Sequence, residues 1–421
     1  MRLPAAGLRA VIGLCDGYSA KPVQYVKICS LYGAGFFYIP GTDTCLKIGG
    51  YVRAEYNINA LGSFTPIKIS SFNRSTADNN IRTRGVFTLD ARTQTEYGTL
   101  RSYIQGGASS TTAGNTTNFQ TLYYQRAFIQ LGGWTFGKAT SFFDGPFQLF
   151  MISNQTNLLG GDSGGAGKAI AGYTAQFGNG FSANIALEDP TFANFGIVGG
   201  VYEAGAGIPD VVGNLSVDQA WGSAQVMGAA HEIREVGIAG GAHASDKWGW
   251  AFGGGGKVNL PMLGKGDFIG VQAAYAEGAT AYVGSGLAGG FLISRGASTG
   301  GGVTSDSTIV AGSHSLTKSW SVDGGYLHRW TPHWKTTAYG AYGRVNPVTV
   351  IPGLDPSWDY TQVGSMTVWT PVANLDLSVD VMYQKLRTAA AGTFGAIPVG
   401  NTVGDQSIWS AIFRAQRNFW P

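Results

Sequence analysis

The run Ile408–Phe419 constrains the fold more than any other stretch. Trp409, Ala411, Phe413, Ala415 and Phe419 fall on every second position, interrupted only by Arg417, while Ser410, Arg414, Gln416 and Asn418 occupy the positions between. In an extended chain, residues two apart share a face, so this segment divides an apolar surface from a polar one. The pattern recurs. Leu375, Leu377, Val379, Val381 and Tyr383 alternate with Asp376, Ser378, Asp380, Met382 and Gln384. Ile81, Phe87, Leu89 and Ala91 share a side opposite Arg82, Arg84, Thr88, Asp90 and Arg92, and Leu46, Ile48, Val52, Ala54 and Tyr56 alternate with Lys47, Tyr51, Arg53 and Glu55. A soluble sandwich also alternates, because one face is core and the other wet. These runs, however, reach about ten residues and carry aromatics at their ends, as strands that cross a bilayer do. The expected class is all-β: a transmembrane antiparallel β-barrel.

Composition narrows the class further. The mean hydropathy of +0.03 hides the apolar residues by alternation. No window approaches the roughly 18 consecutive apolar residues of a spanning helix. Charged residues make up 13% of the 421, against about 25% in ordinary soluble domains. At roughly 20–30 residues per strand and connection, this length supplies roughly 14 to 18 strands. A net charge of +3 without a basic run or interleaved basic and aromatic residues points away from a nucleic-acid partner.

Tight turns are expected within Arg92–Arg101, Leu131–Trp134, Phe177–Phe181, Thr331–Trp334 and Thr370–Leu375, where Gly, Asn and Pro suit hairpin angles. Longer Gly/Ser/Thr-rich stretches, Gly106–Asn118, Lys138–Gly167, Ala279–Thr308 and Asn346–Trp358, read as loops. Short turns alternating with long loops match the two rims of a membrane barrel. Cys29 and Cys45 lack zinc-site spacing and have no histidine nearby, while Cys15 is left over. A Cys29–Cys45 disulfide would be worth roughly 3 kcal/mol and needs an oxidising compartment such as the periplasm; two free thiols are the alternative.

The segment Tyr25–Tyr51, with its two cysteines and Tyr38-Ile39-Pro40-Gly41-Thr42, resembles the amino-terminal signature of the outer-membrane porins of alphaproteobacteria. Thr95–Leu100, Phe128–Gly132, Gly178–Ala183, Ile208–Gly213 and Gln416–Phe419 extend the resemblance in family order. It implies a 16-stranded general diffusion porin of the bacterial outer membrane with an infolded third extracellular loop. It also implies a homotrimer amid lipid and lipopolysaccharide, passing small hydrophilic solutes and ions without a cofactor. Residues 1–20 depart from the family: Arg9 splits the apolar stretch, and Asp16 and Tyr18 spoil a cleavage site. They read as an atypical or mis-assigned leader, followed by an amino-terminal segment to residue 45 and the barrel over 46–421. Trp420-Pro421 is a second departure, since the family closes on an aromatic.

By its position, Lys138–Gly167 corresponds to the infolded loop, bringing Asp144 and Asp162. The polar faces of nearby strands bring Arg53, Arg82, Arg84, Arg101 and Arg126, expected to oppose the loop acids across a constriction; Arg92, near a turn, is left out. Such opposed charge would set a transverse field on water and dipolar solutes. Other motifs lead elsewhere. Gly161-Asp162-Ser163-Gly164-Gly165 copies a serine-protease nucleophile, but every histidine (His231, His243, His314, His328, His333) follows it in the chain. Gly253–Lys257 and Gly165–Lys168 lack the first glycine and the Ser/Thr of a phosphate loop, and the histidines lack metal-ligand spacing. Phe142, Phe143, Phe147 and Phe150 leave open a solute-selective channel with an aromatic path. An adhesin or structural barrel and an outer-membrane esterase are the rivals from other classes.

Overall fold

In the computed structural model the described residues are 27–60, 79–113, 116–155, 160–161, 167–190, 202–203, 207–236, 245–284, 291–295, 298–302, 306–310, 312–348, 355–388, 402–403 and 405–419. Alternation closes the chain into one antiparallel sheet of sixteen long strands, to which the two-residue strand Phe37–Tyr38 adds an edge. The strands are β1 Cys45–Ile58, β2 Asn79–Thr95, β3 Gly98–Ala113, β4 Thr116–Leu131, β5 Trp134–Ala139, β6 Lys168–Gly178, β7 Phe181–Glu188 and β8 Asp210–Gln219. They continue as β9 Gly222–Ile233, β10 Lys247–Asn259, β11 Phe268–Glu277, β12 Lys318–Arg329, β13 Trp334–Asn346, β14 Trp358–Val372, β15 Leu375–Thr388 and β16 Gln406–Asn418. Each pairs with its sequence neighbour, and β16 closes on β1 with Tyr51 opposite Asn418. Closure leaves no unpaired edge in the membrane, which lipid would penalise.

The outward face is apolar, as the period predicts: Trp409 and Phe413 on β16 stand exposed, as do Val379 and Val381 on β15. Aromatics gather at both ends. Trp134, Phe177, Trp221 and Trp334 ring the short-turn rim, with Trp334 stacked on Trp369 at 5.6 Å, and Trp248, Trp250, Trp320 and Trp409 ring the other. These rings suit the two membrane interfaces.

Turns and loops divide as expected, with one correction. Gly106–Asn118 is not a loop: β3 and β4 run through it and leave only residues 114–115 between them. Its glycines serve the sheet. A bulge lies between Gln105 and Gly106, and a Cβ on Gly107 would overlap the Gly85 carbonyl. The chain there needs glycine for close strand approach, not for a turn. Two turns were not foreseen, Ala220–Trp221 and Leu260–Asp267. Cys29 and Cys45 form a disulfide, with Cα atoms 6.0 Å apart. It ties a small cap to the short-turn rim, where Phe36 packs on the bridge and the Arg92 guanidinium lies 4.9 Å from the Phe36 ring. Residues 1–20 and Trp420–Pro421 lie outside the described residues.

Candidate functional site

Loop 3, residues 140–167, turns into the barrel because its polar groups find acceptors on the wall and its apolar ones find a dry pocket. At its root Ser141 Oγ and the Phe142 amide each donate to Glu188 at 2.7 Å, and Asn214 donates to the Phe142 carbonyl at 2.6 Å. Phe143, Phe147, Leu149 and Ile152 then bury fully against the inward residues of β8–β15, among them Met227, Ala251, Ala274, Leu327 and Tyr339. Gly270 and Gly325 make room for them: a Cβ there would overlap the Phe147 ring and the Ile152 side chain respectively.

The far end of the loop is seated on Asp380 of β15. That carboxylate accepts from Ser153 Oγ at 3.1 Å, the Asn154 amide at 2.5 Å, the Gln155 amide at 3.2 Å and Tyr339 Oη at 2.6 Å. Ser410 Oγ donates to Gln155 Oε1 at 2.9 Å, and an Arg414 Nη donates to the Asn154 carbonyl at 3.4 Å. On its return, Gly160 donates to Ser321 Oγ at 2.8 Å. Four donors on one buried carboxylate make a strong anchor, since each would be costly to strand.

The contacts of the loop run from β7 round to β16, and the arginines lie on β1–β4, away from most of them. Arg53 stands directly across from Arg84, and Glu55 directly across from both Arg82 and Arg414. Arg53 Nε donates to Gln416 at 2.8 Å, and Arg414 Nε donates to Glu55 at 2.8 Å. The Arg53 and Arg84 guanidiniums lie 4.6 and 5.1 Å from the Tyr51 and Tyr123 rings. Nearer the short-turn rim, Arg101 donates to both Asp90 oxygens, at 3.0 and 2.9 Å, and to Gln130; Arg92 completes the group through Asp90 at 2.8 Å. Arg126 donates to the Gln125 carbonyl and its guanidinium lies against Gly167, where loop 3 rejoins the wall. Arg53, Arg82, Arg84 and Arg101 thus share one inward wall, and Arg126 adjoins it on β4. Asp144 is buried at the first bend of loop 3, where its carbonyl accepts from Gln225 on β9. Asp162 lies outside the described residues.

Sequence reasoning passed over Glu55, Asp90, Asp380 and Arg414, although all four fall on the polar face of an alternating strand. The alternation could have nominated them, but only contacts between residues more than 200 positions apart reveal that Asp380 holds loop 3. Phe143 and Phe147, read as possible lining of a solute path, are core residues. Among the described residues no group of His, Cys, Asp or Glu is arranged to hold a metal ion.

Comparison with known proteins agrees with this architecture. Residues 18–412 match the family described as the porin subfamily. Porin Omp2b of Brucella suis biovar 1 (strain 1330) is 28% identical over 413 residues, covering 95% of this chain and 91% of that protein. Porin Omp2b of Brucella neotomae is 36% identical over 217 residues, or 48% of this chain and 56% of that one. The outer membrane channel DcaP of Acinetobacter baumannii shares the fold with a TM-score of 0.64 at 16% identity, covering 91% of this chain and 99% of that one. The anion-selective porin from Comamonas acidovorans does so at 0.51 and 11%, covering 89% and 100%. The chain belongs to the porin subfamily and is a diffusion channel of the bacterial outer membrane, not an enzyme.

Proposed function

We propose that the permeation path is a slot between loop 3 and the β1–β4 wall, in which Arg53, Arg82, Arg84, Arg101 and Arg126 face the acidic side set by Asp144 and Asp162. The seating of loop 3 on Asp380 carries this reading, because the loop fills the β8–β15 side and leaves the arginine wall uncovered by its apolar core. Width then selects by size, and the lateral field orients dipolar solutes. Small hydrophilic solutes and ions cross passively. Single replacement of each arginine by alanine, read as reversal potential across a salt gradient, tests it. Each loss moves the cation-to-anion permeability ratio toward cations by about sixfold, because one charge roughly 8 Å from the path at the dielectric of water shifts each ion by about 0.5 kcal/mol, in opposite senses. Unchanged ratio and conductance across the set would overturn the constriction.

The functional unit is a homotrimer. A solved outer membrane protein of Vibrio cholerae, OmpT, with the same fold is described as a trimer form, and barrels of this class present apolar outer walls that serve lipid or a neighbour equally. Lipopolysaccharide is the expected lipid partner. Lys318, Arg344, Lys385 and Arg387 face outward at the loop rim, on β12, β13 and β15, where lipid phosphates would meet them.

A further inference from the structure

Four consecutive strands carry an inward ionisable residue at the loop rim, three at the strand end and His231 two residues short of it: Lys168 on β6, Glu188 on β7, Asp210 on β8 and His231 on β9, all buried. Loop 6, residues 278–317, completes the row with Tyr282 and Asp306. His231 Nδ1 lies 2.7 Å from Asp210 Oδ1, whose second oxygen accepts from Tyr282 Oη at 2.6 Å. Lys168 Nζ donates to Tyr282 Oη at 3.2 Å and stands 3.9 Å from Glu188, the acceptor of the loop 3 root. At the other end His231 Nε2 faces Asp306 Oδ2 at 3.8 Å, while Asp306 Oδ1 accepts from the Thr280 amide and hydroxyl at 2.6 and 2.7 Å. Loops 6 and 3 also touch directly. The Gly161 amide donates to the Val283 carbonyl at 3.1 Å, and the Phe143 and Tyr282 rings sit 4.9 Å apart.

The hydrogen bonds fix the protonation logic. Asp210 accepts on both oxygens, so Nδ1 of His231 carries the proton. A neutral His231 then turns the Nε2 lone pair toward a carboxylate. A proton on Nε2 converts that contact into a second ion pair. We propose that His231 is a positioning residue whose charge latches loop 6 to the wall and, through loop 6, holds loop 3, so that the channel mouth stiffens on mild acidification.

The surroundings bound the pH window. Beyond Asp210, Asp306 and Tyr282, the charged groups on the loop 3 side are Lys168, which bonds Tyr282, and Glu188 and Asp144. His314 binds Ser307 Oγ at 2.9 Å, Lys247 on β10 binds the His314 carbonyl, and Glu232, next to His231, points outward to the Gly207 and Ile208 amides. Burial pushes the Asp306 carboxyl above the usual range, with His231 and the Thr280 donors pulling it back. The latch therefore forms where His231 takes up its second ring proton and dissolves where Asp306 takes one, earlier than an ordinary carboxylate would.

Hydrogen exchange of the Thr280, Tyr282 and Val283 amides in the full chain, corrected for intrinsic rates from pH 5 to 8, tests the latch. Protection rises toward acid by up to about tenfold per pH unit over the uptake range, then falls. His231→Gln keeps a donor toward Asp210 without titrating and flattens the rise; Asp306→Asn does the same, and His314→Gln leaves it. Single-channel noise falls with the same profile in the wild type alone. A pH profile that survives in His231→Gln, or that vanishes only in His314→Gln, overturns the proposal.

Discussion

Two sectors of one sheet use the same inward face for opposite ends. On β1–β4 that face carries Arg53, Arg82, Arg84, Asp90 and Arg101, and side chains bond to one another along the wall. On β8–β15 it carries Val212, Met227, Ala251, Ala274, Leu327 and Met382, all buried against loop 3. A barrel this wide would otherwise enclose water throughout. The difference teaches that the lumen wall of this porin is divided: one side carries charged groups bonded along the sheet while the other packs a loop as a soluble domain packs a helix. The loop is held as interior structure generally is, by apolar contact plus satisfied polar groups.

Asp380→Ala should disturb this division most. It strands the Asn154 amide and the Tyr339 hydroxyl, at about 1–3 kcal/mol for each buried donor left unpaired, while Ser153 and the Gln155 amide keep their bonds to each other. The far end of loop 3 leaves its seat, and single-channel conductance rises and broadens. An unaltered conductance histogram would mean that loop 3 is seated without the carboxylate. Phe147→Ala comes next, at about 3–5 kcal/mol for emptying a fully buried aromatic site. Its signature is a lower unfolding temperature with ion preference retained, because the change lies in the packed half; a shifted preference would show that the halves are not separate.

Asp90→Asn, in the charged half, should have the smallest effect on stability. Its pairs with Arg92 and Arg101 are partly exposed, and such pairs contribute about 0–1 kcal/mol. The current should respond nonetheless: with two guanidiniums released from their carboxylate, permeability moves toward anions. Reversal potentials measured alongside thermal unfolding separate the two outcomes.

Much of this was legible one strand at a time. The period of two assigned Arg53, Arg82 and Arg84 to the inner face and Val379, Val381 and Phe413 to the outer one, since facing is a local property of an extended chain. The fate of Phe143 and Phe147 was not legible. An aromatic in a loop reads alike whether it lines a path or fills a pocket, and the pocket here is built by glycines and alanines scattered over β9–β13. The glycines of Gly106–Asn118 misled for a similar reason, because close strand approach and turn formation call for the same residue.

By itself, then, the sequence determined the barrel, its two faces, most of its short turns and the cysteines able to pair, because alternation and turn chemistry act between near neighbours. Only the tertiary structure decided which half of the lumen is filled, that Asp380 and Glu188 anchor loop 3, and that His231 meets loop 6. Those contacts join residues 46 to 227 positions apart, and a chain acquires them only once sixteen strands have closed into a ring.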